Sequence, residues 1–411
     1  MASLISSQPP PSVNSETAPR GRAGHCFLPY TKEGAVLIGG YNDEGPLDDV
    51  WLFDGTRNVW VSLSYNRINP NPLPRIDFAG SVLLENKLFV LGGMESDGEQ
   101  VLIYNDLWQL DLTTGGWTMV TEECPLAERM GHVCVGVDST HMLVHGGECM
   151  GRCFDDVWLY NATSNAWTLI EVASGGATNA AVPVARCAHT ACFLHDTSTL
   201  LIFGGYTMED GEPVYLNDLW ALDLSRLAQG GGGGGGGGGV MQWRQVTCVN
   251  DGISPSPRDQ PALMTLPPAV GAGAGAGAGS GGAHRVFIGG GYGLTEVGEG
   301  ADSDAIAMDT DTDNEAGAAA AGEGGEEEGV ELGYLNDCWL VELDLVAAKA
   351  VYTELWTDSD ECKAAAALWA GTGNAGRRGC KVLASADGGI VSFGGFTGEH
   401  FSHALERTGN L

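Results

Sequence analysis

Basic residues are scarce in this chain: its 411 residues include 20 Lys and Arg against 53 Asp and Glu, a formal net charge of −33. A surface this acidic repels phosphate backbones and anionic headgroups, so we expect neither nucleic acid nor a membrane as partner. Apolar runs of about 18 residues or more are lacking as well, and the start, MASLISSQPPPSVNSETAPR, has no basic and apolar signal pattern. These absences favour the cytoplasm, or the nucleus as well.

A regular cysteine framework is also lacking. The chain has 11 cysteines, an odd number without tight spacing, which suits a reducing compartment. Cys149 and Cys153 stand four apart just after a glycine pair, and Cys187 and Cys192 form the nearest other loose pair. Their spacings match neither a zinc finger nor a zinc ribbon, so we expect ordinary thiols, with no metal and no other cofactor.

Catalytic signatures are missing too. The stretch Asp309–Glu315 begins like a calcium-binding loop, but Asn314 stands where that loop needs glycine and Ala320 where it needs glutamate. The sequence has no nucleophile elbow, and no glycine-rich run is followed by the Lys-Ser/Thr of a phosphate-binding loop. We therefore expect a protein that is not an enzyme.

What the chain has instead is an internal repeat. Six glycine pairs each follow a short apolar run: VLIGG, FVLGG, LVHGG, LIFGG, VFIGG and VSFGG. Five copies continue into a tryptophan element: DDVWLFD, NDLWQLD, DDVWLYN, NDLWALD and NDCWLVELD. The first three glycine pairs are 53 and 54 residues apart, and in these copies a second Trp follows the first by nine residues. Such a period, built from short apolar and aromatic runs, predicts the stacked four-stranded sheets of a propeller.

The glycine pair, the Asn/Asp-Asp-x-Trp element and the later aromatic residue resemble the kelch repeat family. Five full copies and a partial sixth extend this resemblance over residues 20–411. It implies an all-β fold, a β-propeller of about six four-stranded blades with the last blade incomplete. Residues 1–19 are expected to form a disordered N-terminal segment that could supply a closing strand to the last blade.

Three low-complexity segments interrupt the repeat, at 229–239, 271–283 and 296–331. The first is a glycine run, the second alternates Gly with Ala, and the third contains 13 Asp and Glu without any Lys or Arg. All three fall in predicted loops, where doubling a flexible connection costs only about 0.6 kcal/mol. Such tracts bury too little apolar surface to become ordered, so we predict disordered insertions.

Three histidines recur at one position of the repeat. His25, His132 and His189 each stand three residues after an arginine, in RAGH, RMGH and RCAH. Although three histidines on neighbouring blades could imitate a metal cluster, a repeated position favours a local role. We expect each to satisfy backbone groups near the start of the first strand.

An arginine precedes the first strand of every repeat, and the pseudo-rotation of a closed ring would place these arginines on one face. In kelch adaptors that bind acidic peptides, arginines at this kind of position line the pocket, and second-to-third strand loops open beside them. This resemblance implies the following candidate partner-binding residues: Arg22, Arg75, Arg129, Arg186, Arg258, Arg377, Tyr41, Tyr206, Tyr292 and Phe396. The alternative is that each arginine pairs with an aspartate or a backbone carbonyl of the next blade.

The sequence thus predicts a non-enzymatic scaffold, a monomeric propeller that binds a protein partner of unknown identity through one face. Two alternatives stay open. One is the substrate-recognition part of a ubiquitin-ligase adaptor or multidomain regulator that lacks its partner domain. The other is a metal-dependent enzyme or specifier-type protein, although the Glu-x3-Asp-x3-His pattern of plant nitrile-specifier proteins does not occur.

Overall fold

The computed structural model describes the following residues: 18–31, 34–57, 59–63, 79–96, 100–173, 181–229, 240–250, 253–266, 284–296, 330–335, 337–354, 381–384, 390–393 and 405–407. The segment predicted at 1–19 and the insertions predicted at 229–239, 271–283 and 296–331 lie almost entirely outside these ranges. None of the helices in the described part of the chain has the length and apolar character needed to cross a bilayer.

The first three repeats each form one four-stranded antiparallel sheet, which is a blade of the propeller. Blade 1 comprises β1 (Cys26–Thr31), β2 (Gly34–Ile38), β5 (Val50–Asp54) and β6 (Val59–Ser62), with a hairpin of β3 (Tyr41–Asn42) and β4 (Gly45–Pro46) between its second and third strands. Blade 2 comprises β7 (Gly80–Leu84), β8 (Lys87–Ser96), β9 (Val101–Asp111) and β10 (Gly116–Thr121). Blade 3 comprises β11 (Val133–Gly136), β12 (His141–His145), β15 (Val157–Asn161) and β16 (Ala166–Leu169), with a hairpin of β13 (Glu148–Cys149) and β14 (Arg152–Cys153).

The later repeats follow the same plan with additions. Blade 4 comprises β17 (Thr190–Leu194), β18 (Thr199–Phe203), β21 (Leu219–Asp223) and β22 (Trp243–Cys248), with a hairpin of β19 (Tyr206–Glu209) and β20 (Glu212–Tyr215) and a helix α1 (Ser225–Gln229). Blade 5 comprises β24 (Ala262–Leu266), β25 (His284–Gly289), β28 (Cys338–Asp344) and β29 (Lys349–Glu354), while β23 (Arg258–Asp259), β26 (Tyr292–Glu296) and β27 (Val330–Tyr334) form a small separate sheet. Blade 6 has three described strands: β30 (Lys381–Ala384), β31 (Ile390–Phe393) and β32 (Leu405–Arg407).

The hydrophobic core lies between blades, because successive residues of a strand point to opposite faces of its sheet. In β2, Val36 and Ile38 pack with Leu88 and Val90 of blade 2. The alternate residues of β8 point the other way, and Phe89 joins residues of blade 3. Each blade therefore buries both faces only when it has neighbours, which explains why the repeats occur as a ring.

The ring is closed by its innermost strands. The first strands of the blades touch in the order β1, β7, β11, β17, β24 and β30, and β30 returns to β1. This confirms the predicted six-bladed propeller whose last blade is incomplete in its described strands. Five of these strands line a central channel of about 580 Å³.

Blades 4 and 5 are joined by backbone pairing as well as by side chains. The last strands of the two blades, β22 and β29, pair in parallel and merge the sheets into one of eight strands. Thr247 and Val249 donate their backbone N–H groups to the carbonyls of Ala348 and Ala350, both at 3.0 Å. The Asn250 side chain adds two hydrogen bonds to the backbone of Tyr352, at 2.7 and 3.1 Å.

Candidate partner-binding face

The structure places the predicted arginines inside the blades. Arg22, Arg129, Arg186 and Arg258 are all 0% exposed. They are the largest side chains that the described part of the chain buries completely. Arg75 and Arg377, predicted for the same role, lie outside the described residues.

Blade 3 shows the arrangement that holds each arginine. Arg129 donates from Nη1 and Nη2 to the two carboxylate oxygens of Asp156, at 2.7 and 2.9 Å. Its Nη1 also donates to the Gly146 carbonyl at 2.9 Å, and its Nε to the Ala127 carbonyl at 3.0 Å. The Trp158 indole N–H donates to the same carboxylate at 2.7 Å. Trp and Arg of one repeat are thus held by one aspartate, which is the second acidic position of the Asn/Asp-Asp-x-Trp element.

Three other described blades repeat this arrangement, which we call the arginine network. Its members are Arg22, Asp49, Trp51 and Gly39 in blade 1, Arg186, Asp218, Trp220 and Gly204 in blade 4, and Arg258, Asp337, Trp339 and Gly290 in blade 5. The aspartate belongs to the same repeat as its arginine, not to the next blade. In blade 2, the part of the network that the structure describes is the hydrogen bond from the Trp108 indole N–H to Asp106, at 2.5 Å.

The charges of the network neutralise each other. Burial alone would raise the pKa of Asp49, Asp156 and Asp218, but the hydrogen bonds and positive charge of the paired arginine hold each pKa below its ordinary value. A bidentate, buried pair of this kind leaves no guanidinium group to meet a ligand. The structure therefore corrects the expectation that Arg22, Arg129, Arg186 and Arg258 line a basic rim: they hold the blades together internally.

The backbone beside each arginine links neighbouring blades. Gly93 of blade 2 donates its N–H to the Arg129 carbonyl of blade 3 at 3.0 Å, and Gly147 donates to the Arg186 carbonyl of blade 4 at 2.9 Å. Gly146 has φ +66°, and a Cβ on it would lie 2.6 Å from the Arg186 carbonyl oxygen. Glycine is needed at this end of the second strand, because the next blade occupies the space that a side chain would fill.

The repeated histidines fill the same junctions. His25, His132 and His189 are buried, and a Cβ on Gly146 would lie 2.7 Å from Cε1 of His189 in the next blade. The hydrogen-bond partner of His189 Nε2 is Nδ1 of His145, 2.9 Å away, and not a backbone group as the sequence predicted. Burial and the charge of Arg129 lower the pKa of His132 to about 3, and burial and Arg186 lower that of His145 to about 3. Both rings are therefore neutral at physiological pH.

The predicted tyrosines lie at equivalent places, on the surface formed by the connections between the second and third strands of the blades. Tyr41, Tyr206 and Tyr292 each follow a glycine pair and begin the outer hairpin of their blade, and all three are half-buried. Phe396 lies outside the described residues. We call the surface made by β3–β4, the outer ends of β8 and β9, β13–β14, β19–β20 and β26–β27 the hairpin face.

Side chains link the hairpins of blades 3, 4 and 5. Tyr206 interacts with the Glu148 carboxylate across the boundary between blades 3 and 4 and lowers a pKa that burial raises above its ordinary value. Tyr215 contacts Tyr206 with ring centroids 6.3 Å apart and Tyr292 of blade 5 with centroids 6.2 Å apart. The three hairpins therefore form one continuous surface.

Large apolar side chains are exposed on this surface. Leu102 in blade 2 is 50% exposed, Met150 in blade 3 is 72%, Val214 in blade 4 is 39% and Leu332 in blade 5 is 49%. These residues, and Glu148 and Tyr215 with them, are absent from the predicted set, which held the repeated arginines and the aromatic residues next to the glycine pairs. Glu148 occupies the same repeat position as Tyr206, so the register alone could have found it.

The two cysteines that follow the third glycine pair belong to this surface. In the β13–β14 hairpin, Cys149 pairs with Arg152 and Cys153 pairs with Glu148. Because neighbours along a strand alternate between faces, the two thiols point to opposite sides of the hairpin. All described cysteines are free thiols. Among the residues that the structure describes, no three His, Cys, Asp or Glu side chains come together in a way that could hold a metal ion.

Comparison with known proteins agrees with this architecture. A model of the family described as the KLHDC2/KLHL20/DRC7 Kelch-repeats domain matches residues 6–181. The dynein alpha chain of the flagellar outer arm of Chlamydomonas reinhardtii is 27% identical over 46% of this chain, but only 4% of its own length is covered. Host cell factor 2 of Homo sapiens is 28% identical over 49% of this chain and 26% of its own length, and the host cell factor homolog hcf-1 of Caenorhabditis elegans is 26% identical over 51% and 27%. The chain thus spans about a quarter or less of the length of these relatives.

A solved structure extends the match to the whole ring. The structure of YjhT superposes with a TM-score of 0.57 over 95% of each chain, at 12% sequence identity, which shows a common fold. The family model covers the first three blades, and the superposition covers almost the entire chain. Residues 6–181 thus match a kelch-repeat family, and the ring as a whole has the β-propeller fold.

Proposed function

We propose that this propeller is a non-enzymatic scaffold that binds a partner protein through its hairpin face. The observation that supports this proposal is the row of exposed apolar residues on the hairpins of blades 2 to 5, beside tyrosines that cross from blade to blade. Exposed apolar surface grouped on one face, with a polar rim, is typical of protein interfaces. Tyrosine is also among the residue types that contribute most to binding energy.

The chemistry of the remaining surfaces supports the same proposal. The described arginines of the network are buried and paired with aspartates of their own blades, and His25, His132 and His189 are buried as well. Burial raises the pKa of the Cys124 thiol and the Cys192 thiol, each to about 12, which keeps them protonated and unreactive. Matches to proteins as different in name as a flagellar dynein chain and the host cell factors also suit a binding module used in several contexts.

The test compares two matched double variants in affinity capture from cell extract, followed by quantitative identification of the captured proteins. Met150→Asp with Val214→Asp places two charges on the hairpin face. Val59→Asp with Val346→Asp makes the same change at exposed valines near the opposite, third-to-fourth strand turns. We expect the first variant to lose captured proteins that the second retains, at equal melting temperatures. Equal capture by both variants would show that any partner binds elsewhere.

A further inference from the structure

The hairpins of blades 3, 4 and 5 combine apolar, aromatic and acidic side chains on one surface. Their strands lie against each other, since β14 contacts β19 and Tyr215 bridges β20 to β26. Met150 and Val214 stand exposed at this surface. Apolar side chains of a partner would therefore find contacts here at two neighbouring blades.

The charges of these hairpins are almost all of one sign. The hairpins at 148–153 and 206–215 contain four acidic residues and one basic residue. The acidic ones are Glu148, which is buried, and Glu209, Asp210 and Glu212, which are exposed. The basic one is Arg152, whose guanidinium lies 5.6 Å from the ring centroid of Phe154.

The arginine network cannot offset the negative charge of these hairpins. Arg129, Arg186 and Arg258 are 0% exposed, and each is paired with an aspartate of its own blade. At a Debye length of about 8 Å in physiological salt, an approaching ligand responds to the exposed carboxylates near it. Glu209 and Glu212 are such residues, since both are exposed at the turn of the β19–β20 hairpin.

We propose that the hairpins of blades 3 to 5 bind a basic segment of a partner protein, in which Arg or Lys side chains alternate with apolar ones. This inference rests on the proposed function and names the chemistry of its partner. Glu209, Asp210 and Glu212 attract the cationic side chains, while Met150 and Val214 receive the apolar ones. The tyrosine rings of Tyr206, Tyr215 and Tyr292 supply the faces on which a guanidinium stacks favourably. The expectation from the sequence was the reverse, an acidic ligand on a basic rim.

The experiment selects peptides from a random octapeptide library displayed on phage, with the purified full chain as bait. The expected result is enrichment of peptides that carry at least two Arg or Lys together with aromatic or aliphatic residues. The binding of one enriched peptide, labelled with a fluorophore, is then measured by anisotropy at two salt concentrations. Opposite charges at an interface rim make binding weaken as salt rises.

Two matched charge reversals locate the site. Glu209→Lys with Glu212→Lys changes the β19–β20 turn, and Glu85→Lys with Glu342→Lys changes two exposed glutamates of blades 2 and 5 outside the hairpin face. Because like charges facing each other are unfavourable, the first variant should weaken binding about tenfold or more and the second about twofold or less. Melting temperatures of both variants check that the fold is intact.

Enrichment of acidic or uncharged peptides, no enrichment at all, or equal loss of binding in both variants would overturn this inference. The apolar variants described above distinguish its failure from that of the proposed function. If Met150→Asp with Val214→Asp abolishes capture of partner proteins while the charge reversals have no effect, the hairpin face binds proteins but not through basic segments.

Discussion

The arginine network and the hairpin face adjoin in blades 1, 3, 4 and 5, yet they are built in opposite ways. The network repeats the same four residue types in blades 1, 3, 4 and 5, with its guanidinium groups completely buried. On the hairpin face, the residue after the glycine pair is Tyr41 in blade 1 but Met94 in blade 2 and Glu148 in blade 3. Residue identity is repeated where blades must fit together and varies where the surface is open to a partner.

The largest expected effect comes from breaking the network. Arg186→Ala would leave the Asp218 carboxylate, mostly buried, without its positive partner, and should lower the free energy of unfolding by about 3–5 kcal/mol. Urea denaturation measures this loss. Arg244→Ala removes an exposed arginine of the same blade and should stay within about 0.5 kcal/mol of the parent protein. Similar losses in the two variants would mean that the network contributes no special stability.

The glycine junction gives the next largest effect, and the chain offers a matched control for it. Gly146 and Gly151 both have positive φ, at +66° and +78°, but a Cβ would meet the Arg186 carbonyl oxygen only at Gly146. Gly151→Ala should cost about 1 kcal/mol from backbone strain alone. Gly146→Ala adds an overpacked contact between two blades and should cost about 3 kcal/mol in total. Thermal unfolding of both proteins measures the two losses of stability. A larger loss for Gly151→Ala than for Gly146→Ala would contradict this reasoning.

Acid sensitivity provides a smaller effect that also belongs to the junctions. The pKa of His145 is about 3 in the folded protein and about 6.5 in an unfolded chain, so between these values the unfolded state binds the extra proton. Stability should therefore fall as pH falls through this window, by about 2 kcal/mol for this group between pH 7 and 5. His145→Leu, which copies Leu91 of blade 2, should reduce the loss in that range. Denaturant unfolding of both proteins at pH 7 and pH 5 measures this loss of stability. If the loss is the same in His145→Leu as in the parent protein, other groups cause the acid sensitivity.

The smallest effect on stability is expected on the hairpin face. Met150→Ala together with Val214→Ala removes exposed side chains that are not part of a blade junction, so the free energy of unfolding should change by about 0.5 kcal/mol or less. Chemical denaturation of this variant beside Arg186→Ala measures the contrast directly. A loss of several kcal/mol would show that the hairpins support the ring, and the distinction between the two regions would no longer hold.

The sequence could predict the ring because each blade carries its own strong local signals. The apolar runs before the glycine pairs became second strands at β2, β12 and β18, and the tryptophan elements became third strands at β5, β15 and β21. The third blade has the four strands that the repeat predicts, and they begin at Val133, His141, Val157 and Ala166. Hydrophobic period and turn residues act over a few residues, so they can be read without the fold.

The partner of each arginine could not be read in this way. Arg129 and Asp156 are 27 residues apart, Arg186 and Asp218 are 32, and Arg258 and Asp337 are 79, because insertions of different length fall between them. No fixed spacing therefore marks the pair, although each Asp stands two residues before a Trp. The resemblance to acid-binding adaptors favoured exposed arginines, whereas burial depends on how the next blade covers the loop. The side chains of the hairpin face were missed for a similar reason, since exposure is decided by neighbouring blades.

The parallel pairing of β22 with β29 has a geometric consequence for the ring. Main-chain hydrogen bonds cross other junctions too, since Met241 of blade 4 donates its N–H to the Glu171 carbonyl beside blade 3 at 3.0 Å, but there the described parallel contact is a single bridge. Between blades 4 and 5 the angle is set at the outer edge by main-chain hydrogen bonds, which have fixed lengths whatever the side chains are. These two blades therefore form a rigid sector of the circumference, because their last strands pair with each other at the outer edge.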